Sequence, residues 1–434
     1  MNPYGAEYRK KLTTPPDAVN LIKDGNTVIV GVNFSEPPAL LEAIARKARE
    51  GGLKAINTYS FNPQQYAAKT IFSPDLADCI RTHAWFVSSS IRNMVRVGLT
   101  YFIPSYLHQV PRLIRDHLSV DVSVTAVSPM DKAGYFSFGA ASYISVAARL
   151  SKKVIVEVNE NMPRVFGDAL IHISEIDAIV ENHCPLLEAV IPEVKPEDEQ
   201  IGKLIAELIP DGACIQLGIG VIPNAVAGCL SSHKDLGVHS ELLVPGMVDL
   251  IKKGVITGRK KTFHPRKHLF SVAYGNCEVY EFMNDNPSME SYASDYIMDP
   301  ANIARNHHMI SVNSILEVDL TGQCNAETID GLQFSGTGGQ LDFVRGAYNS
   351  PGGKSVLTFY STAKNGEISR VVPRLESGAG VTTPRMDTHY LATEYGIVNV
   401  KGKSTRERAL DIISIAHPRF RDELMREADN LRLI

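Results

Sequence analysis

A glycine-rich loop is the segment of this sequence best suited to contact a ligand through its backbone. It runs from Ser335 to Phe343 and contains Gly336, Gly338 and Gly339. A backbone without Cβ atoms can approach a ligand closely, adopt positive φ and present N–H groups to an anion or a developing oxyanion. The loop has neither the GxxxxGK[ST] spacing of a P-loop nor the GxGxxG spacing of a dinucleotide site. Taken alone, it fits a plain turn as well as a ligand loop.

A second glycine loop follows a predicted strand. Gly218 and Gly220 lie between an apolar run at 214–217 and a helical pattern that contains Pro223 and Asn224. Loops between the end of a strand and the start of a helix are where α/β sheets bind ligands, because unpaired N–H groups converge there. The segment fits either an anion site or a packed turn.

Glu241 is a carboxylate placed immediately before an apolar run at 242–244. Burial at this position would raise its pKa and strengthen its electrostatic coupling to neighbouring groups. Most of the 48 acidic residues are nevertheless expected to be solvated surface groups. Glu157, Glu175 and Glu394 also occur in semi-apolar segments, so position alone does not separate Glu241 from them.

The cysteines and histidines do not form a metal or redox motif. The six cysteines contain no CxxC pair, and neither His264 with His268 nor His307 with His308 belongs to a two-His-plus-acid pattern such as HExxH. We therefore expect reduced thiols, several of them buried, and no metal site. A catalytic cysteine is the less favoured alternative.

The chain contains an internal repeat. The segment from Asp24 to Gly31 is echoed from Asp211 to Gly218, and in each copy an Asp-Gly turn leads into an apolar run and a glycine. A proline-bearing loop and an alanine- and leucine-rich helical pattern follow in both copies. This order predicts two related halves, each built from strands, tight loops and helices, with a cleft between them.

Strand-like and helix-like segments alternate along both halves, which predicts mostly parallel sheets covered by helices. In the first half the predicted strands are 26–32, 84–89, 120–127 and 153–158, and the predicted helices are 39–49 and 138–150. In the second half the predicted strands are 214–217, 268–273, 309–312, 356–360 and 390–392, and the predicted helices are 197–209, 406–417 and 419–432. A proline- and acid-rich linker starting at Ile191 and Pro192 separates a domain at 1–190 from one at 191–434.

Composition describes an ordinary soluble globular protein. Of 434 residues, 44% are hydrophobic and 21% are charged, and the formal net charge is −4 without a long basic run, which argues against a nucleic-acid partner. Residues 1–11 lack the apolar core of a secretory signal, and no apolar run reaches the ~18 residues that span a bilayer. We therefore expect a cytoplasmic protein without a membrane partner.

Five motifs occurring in order resemble the acetyl-CoA hydrolase/transferase family, in particular its 4-hydroxybutyrate, butyrate and itaconate CoA-transferase branch. They are the segments 218–226, 239–241, 335–343, 361–366 and 393–397, and the resemblance covers nearly the whole chain. It implies two similar open α/β domains, an acyl-CoA and a small carboxylic acid as substrates, no tightly bound cofactor and a homodimer or larger homo-oligomer.

The resemblance also implies roles for individual residues. Glu241 matches the nucleophile, and Gly339 matches the residue whose N–H helps to form the oxyanion hole. Lys364 and Glu394 match polar positions near the bound thioester or CoA, and the glycines at 218, 220, 336 and 338 belong to the loops expected to contact CoA. Where acetate-using relatives carry Asn-Pro, this chain has Asp299 followed by proline, so no role is transferred there and the acid specificity stays open.

A glutamate can move CoA between two acids while keeping the energy of the thioester. It would attack the acyl-CoA carbonyl to give an anhydride, and the released thiolate would then form a glutamyl-CoA thioester that the acceptor acid resolves. The first alternative is an acyl-CoA hydrolase that uses the same Glu241 with water as acceptor. The second is a non-catalytic sensor of CoA esters or sugar phosphates on a similar scaffold.

Overall fold

The computed structural model describes residues 3–190 and 193–434. The predicted start of the linker, Ile191 and Pro192, lies outside the described residues. The strands in chain order are β1 Thr27–Val30, β2 Ile56–Ser60, β3 Ile80–Ala84, β4 Thr100–Phe102, β5 Val122–Val127, β6 Tyr135–Ser137, β7 Lys153–Val158, β8 Phe166–Gly167, β9 Leu170–His172, β10 Ala178–Glu181, β11 Cys214–Leu217, β12 Gly237–Leu243, β13 His268–Ala273, β14 Met289–Ser291, β15 Met309–Ser314, β16 Glu317–Asp319, β17 Cys324–Asn325, β18 Thr328–Ile329, β19 Leu332–Gln333, β20 Lys354–Thr358, β21 Thr362–Ala363, β22 Ile368–Ser369, β23 Val371–Val372, β24 Tyr390–Thr393 and β25 Gly396–Asn399.

The α-helices in chain order are α1 Gly5–Lys11, α2 Pro15–Ala18, α3 Pro38–Arg49, α4 Gln65–Lys69, α5 Arg92–Arg96, α6 Val110–His117, α7 Ile144–Leu150, α8 Pro196–Ala206, α9 Val221–Cys229, α10 Pro245–Lys252, α11 Cys277–Met283, α12 Ser294–Ile297, α13 Pro300–Ala304, α14 Gln340–Asn349, α15 Thr405–Ser414 and α16 Pro418–Asn430. Within the described part of the chain, none of these helices has the length and apolar character needed to cross a bilayer.

The chain forms two compact units. The first unit consists of Met1–Ala189, Leu269–Ile297 and Gln333–Gly336, and the second of Val190–His268, Met298–Leu332 and Thr337–Ile434. Two segments from the second half of the sequence therefore belong to the first unit.

The first unit is built around a parallel sheet of seven strands in the order β10-β7-β5-β1-β2-β3-β4. Each neighbouring pair is parallel. All six residues of the interior strand β5 are buried, as expected for a strand covered on both faces. Helix α3 packs on this sheet through Leu40, Leu41 and Ile44.

In the second unit, six strands follow the order β25-β24-β20-β15-β11-β12. The pairs are parallel from β12 through β24, and the edge strand β25 is antiparallel to β24. Both units therefore have predominantly parallel sheets with crossover helices, which confirms the predicted α/β fold class.

The internal repeat has the same local structure in both copies. Gly25 and Gly212 adopt positive φ angles of 76° and 81° in the two Asp-Gly turns. The carboxylate Oδ1 of Asp24 accepts a 2.8 Å hydrogen bond from the N–H of Lys54, and Asp211 accepts one of the same length from the N–H of Lys234. In each unit the turn is thus fixed to the segment before the neighbouring strand, and it leads directly into the strand whose carboxyl end carries a glycine loop.

Most of the predicted elements are present, but two were placed wrongly. The strand predicted at 84–89 is Ile80–Ala84, and Trp85 and Val87, which follow it, are buried in a loop. The helix predicted at 138–150 begins only at Ile144, because Gly139 and Ser142 have φ angles of 72° and 37° and interrupt the helical geometry. The predicted strand 153–158 is observed with the same bounds.

Candidate active site

Glu241 projects from the carboxyl-terminal half of β12. The first four residues of this strand are buried and Glu241 itself is partly exposed. Its carboxylate is nevertheless surrounded by protein atoms, and this desolvation raises its pKa to about 7. A carboxylate with such a pKa is both a better nucleophile than an ordinary glutamate and present as a large ionised fraction at neutral pH.

The glycine-rich loop meets Glu241 through one backbone donor. The N–H of Gly339 lies 2.9 Å from Oε2 of Glu241 and donates a hydrogen bond to it. Gly339 is also the N-cap residue of α14, so the positive end of the helix dipole lies at this carboxylate. The hydrogen bond favours the ionised form of Glu241 and partly opposes the effect of desolvation on its pKa.

Gly339 lies too close to Glu241 and Met298 for a Cβ atom to be added without movement of a neighbour. A Cβ atom there would lie 2.6 Å from Oε2 of Glu241 and 2.6 Å from the sulfur of Met298. With a side chain at position 339, the Glu241 carboxylate and the Met298 thioether, or the loop itself, would have to move, which would disturb the hydrogen bond from Gly339. Glycine is favoured here because Glu241 and Met298 approach the backbone closely. The φ angle of Gly339, −97°, is one that other residues also adopt.

A second carboxylate lies beside the first. Asp342 is in the first turn of α14 and only 3% exposed. Its negative charge raises the pKa of Glu241, as a smaller contribution than desolvation. Asp342 lies within the glycine-rich segment 335–343, but its proximity to Glu241 depends on the tertiary structure and leaves no local signal in the sequence.

The Gly218–Gly220 loop adjoins the same strand. Cys214 and Ile215 of β11 pair with Gly237 and Val238 of β12. Counted three residues onward, beyond the paired residues, the same register would align Gly218 with Glu241. Gly220, with φ 120°, is the N-cap of α9. Glu241 and this loop thus lie at the same carboxyl edge of two neighbouring parallel strands, where α/β sheets bind ligands, and Gly339 contacts Glu241 there.

Gly336 and Gly338 have different structural reasons to be glycine. Gly338 adopts a positive φ of 57° immediately before Gly339. Gly336 belongs to the first unit, where an added Cβ would lie 2.9 Å from the Phe86 ring and 3.2 Å from the carbonyl oxygen of Trp85. Gly338 shapes the turn that aims the donor, whereas Gly336 allows close packing.

The competing acidic residues all have structural partners. Glu157 accepts the N–H of Leu40 at 2.9 Å at the start of α3, and Glu175 accepts the N–H of His172 in a capping box. Glu394 accepts the N–H of Ser361 at 3.0 Å. Of the four candidates, Glu241 is the one that faces the glycine-rich loop.

Comparison with known proteins identifies the family of this chain. Residues 1–192 match the family model described as "Acetyl-CoA hydrolase/transferase N-terminal domain", and residues 275–428 match "Acetyl-CoA hydrolase/transferase C-terminal domain". The chain is also 44% identical to the succinyl-CoA:cyclohexane-1-carboxylate CoA transferase of Geobacter metallireducens over 432 residues, covering 99% of this chain and 98% of that protein.

This chain belongs to the acetyl-CoA hydrolase/transferase family.

Two further relatives extend the comparison within the acetyl-CoA hydrolase/transferase family. The 4-hydroxybutyrate coenzyme A transferase of Clostridium kluyveri is 42% identical, with 97% of each chain covered. The crystal structure of RipA from Yersinia pestis is 46% identical, has a TM-score of 0.96 and covers 99% of each chain. The family resemblance inferred from the five sequence motifs is thereby confirmed.

Lys364 and Glu394, the polar residues suggested by the family resemblance, lie in the second unit. Lys364 has a positive φ of 47° and is exposed in the turn between β21 and β22. Glu394 follows β24, and both its oxygens accept hydrogen bonds from Ser361. This geometry supports a structural role for Glu394, and the CoA-contacting roles of both residues stay predictions.

Asp299, to which no role is transferred from the family resemblance, has a clear local function. Oδ1 of Asp299 accepts the N–H of Ala301 at 2.9 Å and caps α13. Asp299 directly follows Met298, whose sulfur lies beside Gly339. Asp299 thus lies next to the candidate site, in the main-chain segment that packs against the donor loop.

The remaining nucleophiles and metal-binding residue types do not form a competing site. Within the described ranges, no group of three or more His, Cys, Asp or Glu side chains is arranged to hold a metal ion. All six cysteines are free, and burial raises the pKa of Cys214 to about 11 and that of Cys324 to about 12. Such thiols are poor nucleophiles at neutral pH.

Proposed function

We propose that this protein is a CoA-transferase that moves CoA from an acyl-CoA to a short carboxylic acid through a thioester on Glu241. The observation that carries the proposal is the hydrogen bond from the N–H of Gly339 to Oε2 of Glu241. It supports the proposal because a backbone N–H that can stabilise an oxyanion, next to a desolvated carboxylate, is the pair of groups that acyl transfer through a glutamate requires.

In the first half-reaction, a carboxylate oxygen of Glu241 attacks the carbonyl carbon of the acyl-CoA. The C–S bond breaks, the CoA thiolate leaves, and an acyl-glutamyl anhydride forms. The thiolate then attacks the glutamyl carbonyl carbon, the donor acid leaves as a carboxylate, and a glutamyl-CoA thioester remains. The acceptor carboxylate repeats these steps in reverse order, which regenerates Glu241 and releases the new acyl-CoA.

Each addition step creates a negative oxygen, and the second addition creates it on the carboxyl group of Glu241 itself. The N–H of Gly339 already points at that carboxyl group, so we assign it to stabilise the oxyanion formed there. Loss of a single such donor typically costs about 3 kcal/mol of transition-state stabilisation. The exchange changes no oxidation state, and the steps above require no group beyond the two substrates.

The names of the two curated relatives support a transferase acting on small acids, since they specify succinyl-CoA with cyclohexane-1-carboxylate and 4-hydroxybutyrate. We infer that the acceptor of this chain is a short carboxylate of the 4-hydroxybutyrate, butyrate or itaconate class, with acetyl-CoA or succinyl-CoA as donor. A homo-oligomeric state stays a prediction.

The test combines chromatography of CoA esters with measurement of free thiol. The wild-type protein is incubated with acetyl-CoA or succinyl-CoA and, in turn, acetate, butyrate, 4-hydroxybutyrate, succinate, itaconate and cyclohexane-1-carboxylate. A transferase forms the acceptor's CoA ester without accumulating free thiol, whereas a hydrolase releases thiol at a rate independent of acceptor. Glu241→Gln should abolish transfer, and Glu175→Gln, which alters a helix cap, should not.

A further inference from the structure

The glycine-rich loop is tied to an acidic side chain outside it. The hydroxyl of Thr337 donates a 3.1 Å hydrogen bond to Oε2 of Glu327. Thr337 lies two residues before Gly339, the donor to Glu241. We propose that Glu327 is a positioning residue that, through Thr337, holds the N–H of Gly339 in the direction of Glu241. This inference rests on the proposed function.

Glu327 is itself held in a rigid segment. The side-chain oxygen of the buried Asn325 accepts the N–H of Glu327 and the N–H of Thr328, both at 3.0 Å. The side-chain nitrogen of Asn325 donates to Oε1 of Glu317 and to the carbonyl oxygen of Thr328, both at 2.9 Å. A fully hydrogen-bonded buried amide of this kind fixes the backbone around it, so Glu327 presents its carboxylate from a defined position.

The segment that carries Glu327 is also tied to residues 380–382. The N–H of Ala326 donates to the hydroxyl of Thr382, and the N–H of Gly380 donates to the hydroxyl of Thr328, both at 2.9 Å. The other oxygen of Glu327 lies against Gly380, since a Cβ at Gly380 would be 2.7 Å from it. Both carboxylate oxygens of Glu327 are thus constrained, one by Thr337 and the other by packing.

The far side of the loop has its own attachment. The side-chain nitrogen of Gln340 donates 3.0 Å to the hydroxyl of Thr383. The residues on either side of the Gly338-Gly339 pair are therefore both anchored by their side chains. The two glycines between them have no side chains through which they could be anchored. A glycine backbone also loses more conformational entropy than that of any other residue when it adopts a single conformation. The side-chain hydrogen bonds of Thr337 and Gln340 therefore help to hold the two glycines in one conformation.

Loss of the Glu327–Thr337 hydrogen bond should change the kinetic constants in a way that loss of a general stabilising contact does not. If Glu327 and Thr337 orient the Gly339 donor, their loss lowers kcat and leaves KM for the acyl-CoA nearly unchanged, because the donor acts on the oxyanion and not on the bound substrate. A purely structural hydrogen bond would lower the melting temperature without a selective effect on kcat.

The experiment measures kcat, KM and melting temperature for Thr337→Val, Thr337→Ser, Glu327→Ala and the Thr337→Val/Glu327→Ala double variant. We expect about a tenfold lower kcat in the Val and Ala variants, with KM within about twofold of wild type. Ser keeps the hydroxyl, so Thr337→Ser should restore most of kcat. The double variant should be no slower than the slower single variant, because both substitutions break one interaction.

Thr257→Val is the matched control. The hydroxyl of Thr257 also donates 3.1 Å to a carboxylate, that of Asp235, but at the opposite end of β12 from Glu241. Its kcat should equal that of the wild-type protein. Wild-type kcat in both Thr337→Val and Glu327→Ala, a raised KM with unchanged kcat, or independent losses that multiply in the double variant would each overturn the inference.

Two further comparisons keep the outcome decisive. Should Thr337→Val fail to fold, Glu327→Gln is compared with Glu327→Ala, since the amide oxygen can still accept the Thr337 hydroxyl. A higher kcat in the Gln variant supports the role, and equal values overturn it. Absence of CoA transfer by the wild-type protein would refute the proposed function itself, whereas normal transfer by the wild type with no effect at 327 and 337 refutes only the positioning role.

Discussion

The N–H of Gly339 donates a 2.9 Å hydrogen bond to Oε2 of Glu241, although the two residues are 98 positions apart in the chain. This contact joins the end of a strand to the N-terminus of a helix. It combines a desolvated carboxylate with a fixed hydrogen-bond donor, and substitutions at either residue should change the measured activity.

Replacing Gly339 with alanine should abolish most of the activity. The added Cβ would lie 2.6 Å from both Oε2 of Glu241 and the sulfur of Met298, so these side chains or the loop must move and the hydrogen bond between Gly339 and Glu241 is disturbed. We expect kcat to fall about a hundredfold. Gly228→Ala, at a helical position where a Cβ meets nothing within 4 Å, is the control and should keep wild-type kcat. A Gly339→Ala variant with unchanged kcat would show that this donor is not used.

The dependence of activity on pH should report the raised pKa of Glu241. Only the ionised carboxylate attacks, so kcat/KM should rise with pH and level off above a pKa of about 7 instead of the usual 4.5. Asp342→Asn removes a negative charge that raises this pKa, so the acidic limb should move to lower pH. A wild-type limb near pH 4.5 would contradict the desolvation of Glu241.

A buried acid in the first unit should make stability depend on pH. Glu36 is 2% exposed and accepts the N–H groups of Gln64 and Ala67 at 2.6 and 3.2 Å, and desolvation raises its pKa to about 8. Between pH 4.5 and 8 the folded chain keeps a proton that the unfolded chain releases, so the free energy of unfolding should fall as pH rises through this range.

Urea unfolding at several pH values tests this expectation. Glu241 contributes a change of the same sign up to about pH 7, so the comparison is between wild type and Glu36→Gln under identical conditions. The amide does not titrate, and the decrease in stability should be smaller in the variant. Identical slopes in the two proteins would mean that Glu36 is ionised in the folded state.

The two Asp-Gly turns should be similarly sensitive to substitution. Gly25 and Gly212 have φ angles of 76° and 81°, and an added Cβ at either site meets no atom closer than 3.4 Å. Gly25→Ala and Gly212→Ala should therefore each lower the free energy of unfolding by about 1–2 kcal/mol through backbone strain alone. Urea denaturation measures the loss, and a negligible change in both variants would contradict the need for left-handed backbone at the turns.

The sequence predicted the architecture well where a signal is local. The strand at 153–158 and the repeated Asp-Gly turns were identified because β-branched runs and glycine turns act over a few residues. The wrong strand at 84–89 contains Trp85 and Val87, which are buried as strand residues would be but belong to a loop. Burial in a loop depends on distant parts of the chain and leaves no periodic signal.

The site was predictable only through the family resemblance. No local pattern connects Glu241 with Gly339, and from composition Glu157 was an equal candidate until the structure placed its carboxylate at the start of α3. The burial of Glu36 was missed for the same reason, because its partners Gln64 and Ala67 lie on a different element.

The most direct test of the account is to trap the covalent intermediate. The protein is incubated with an acyl-CoA in the absence of acceptor, treated with borohydride, digested with trypsin and analysed by mass spectrometry. We predict that activity is lost and that the modification maps to residues 235–252, a tryptic peptide whose single glutamate is Glu241. Full activity after treatment, or a modification located on another peptide, would contradict the role of Glu241 as the residue that carries CoA.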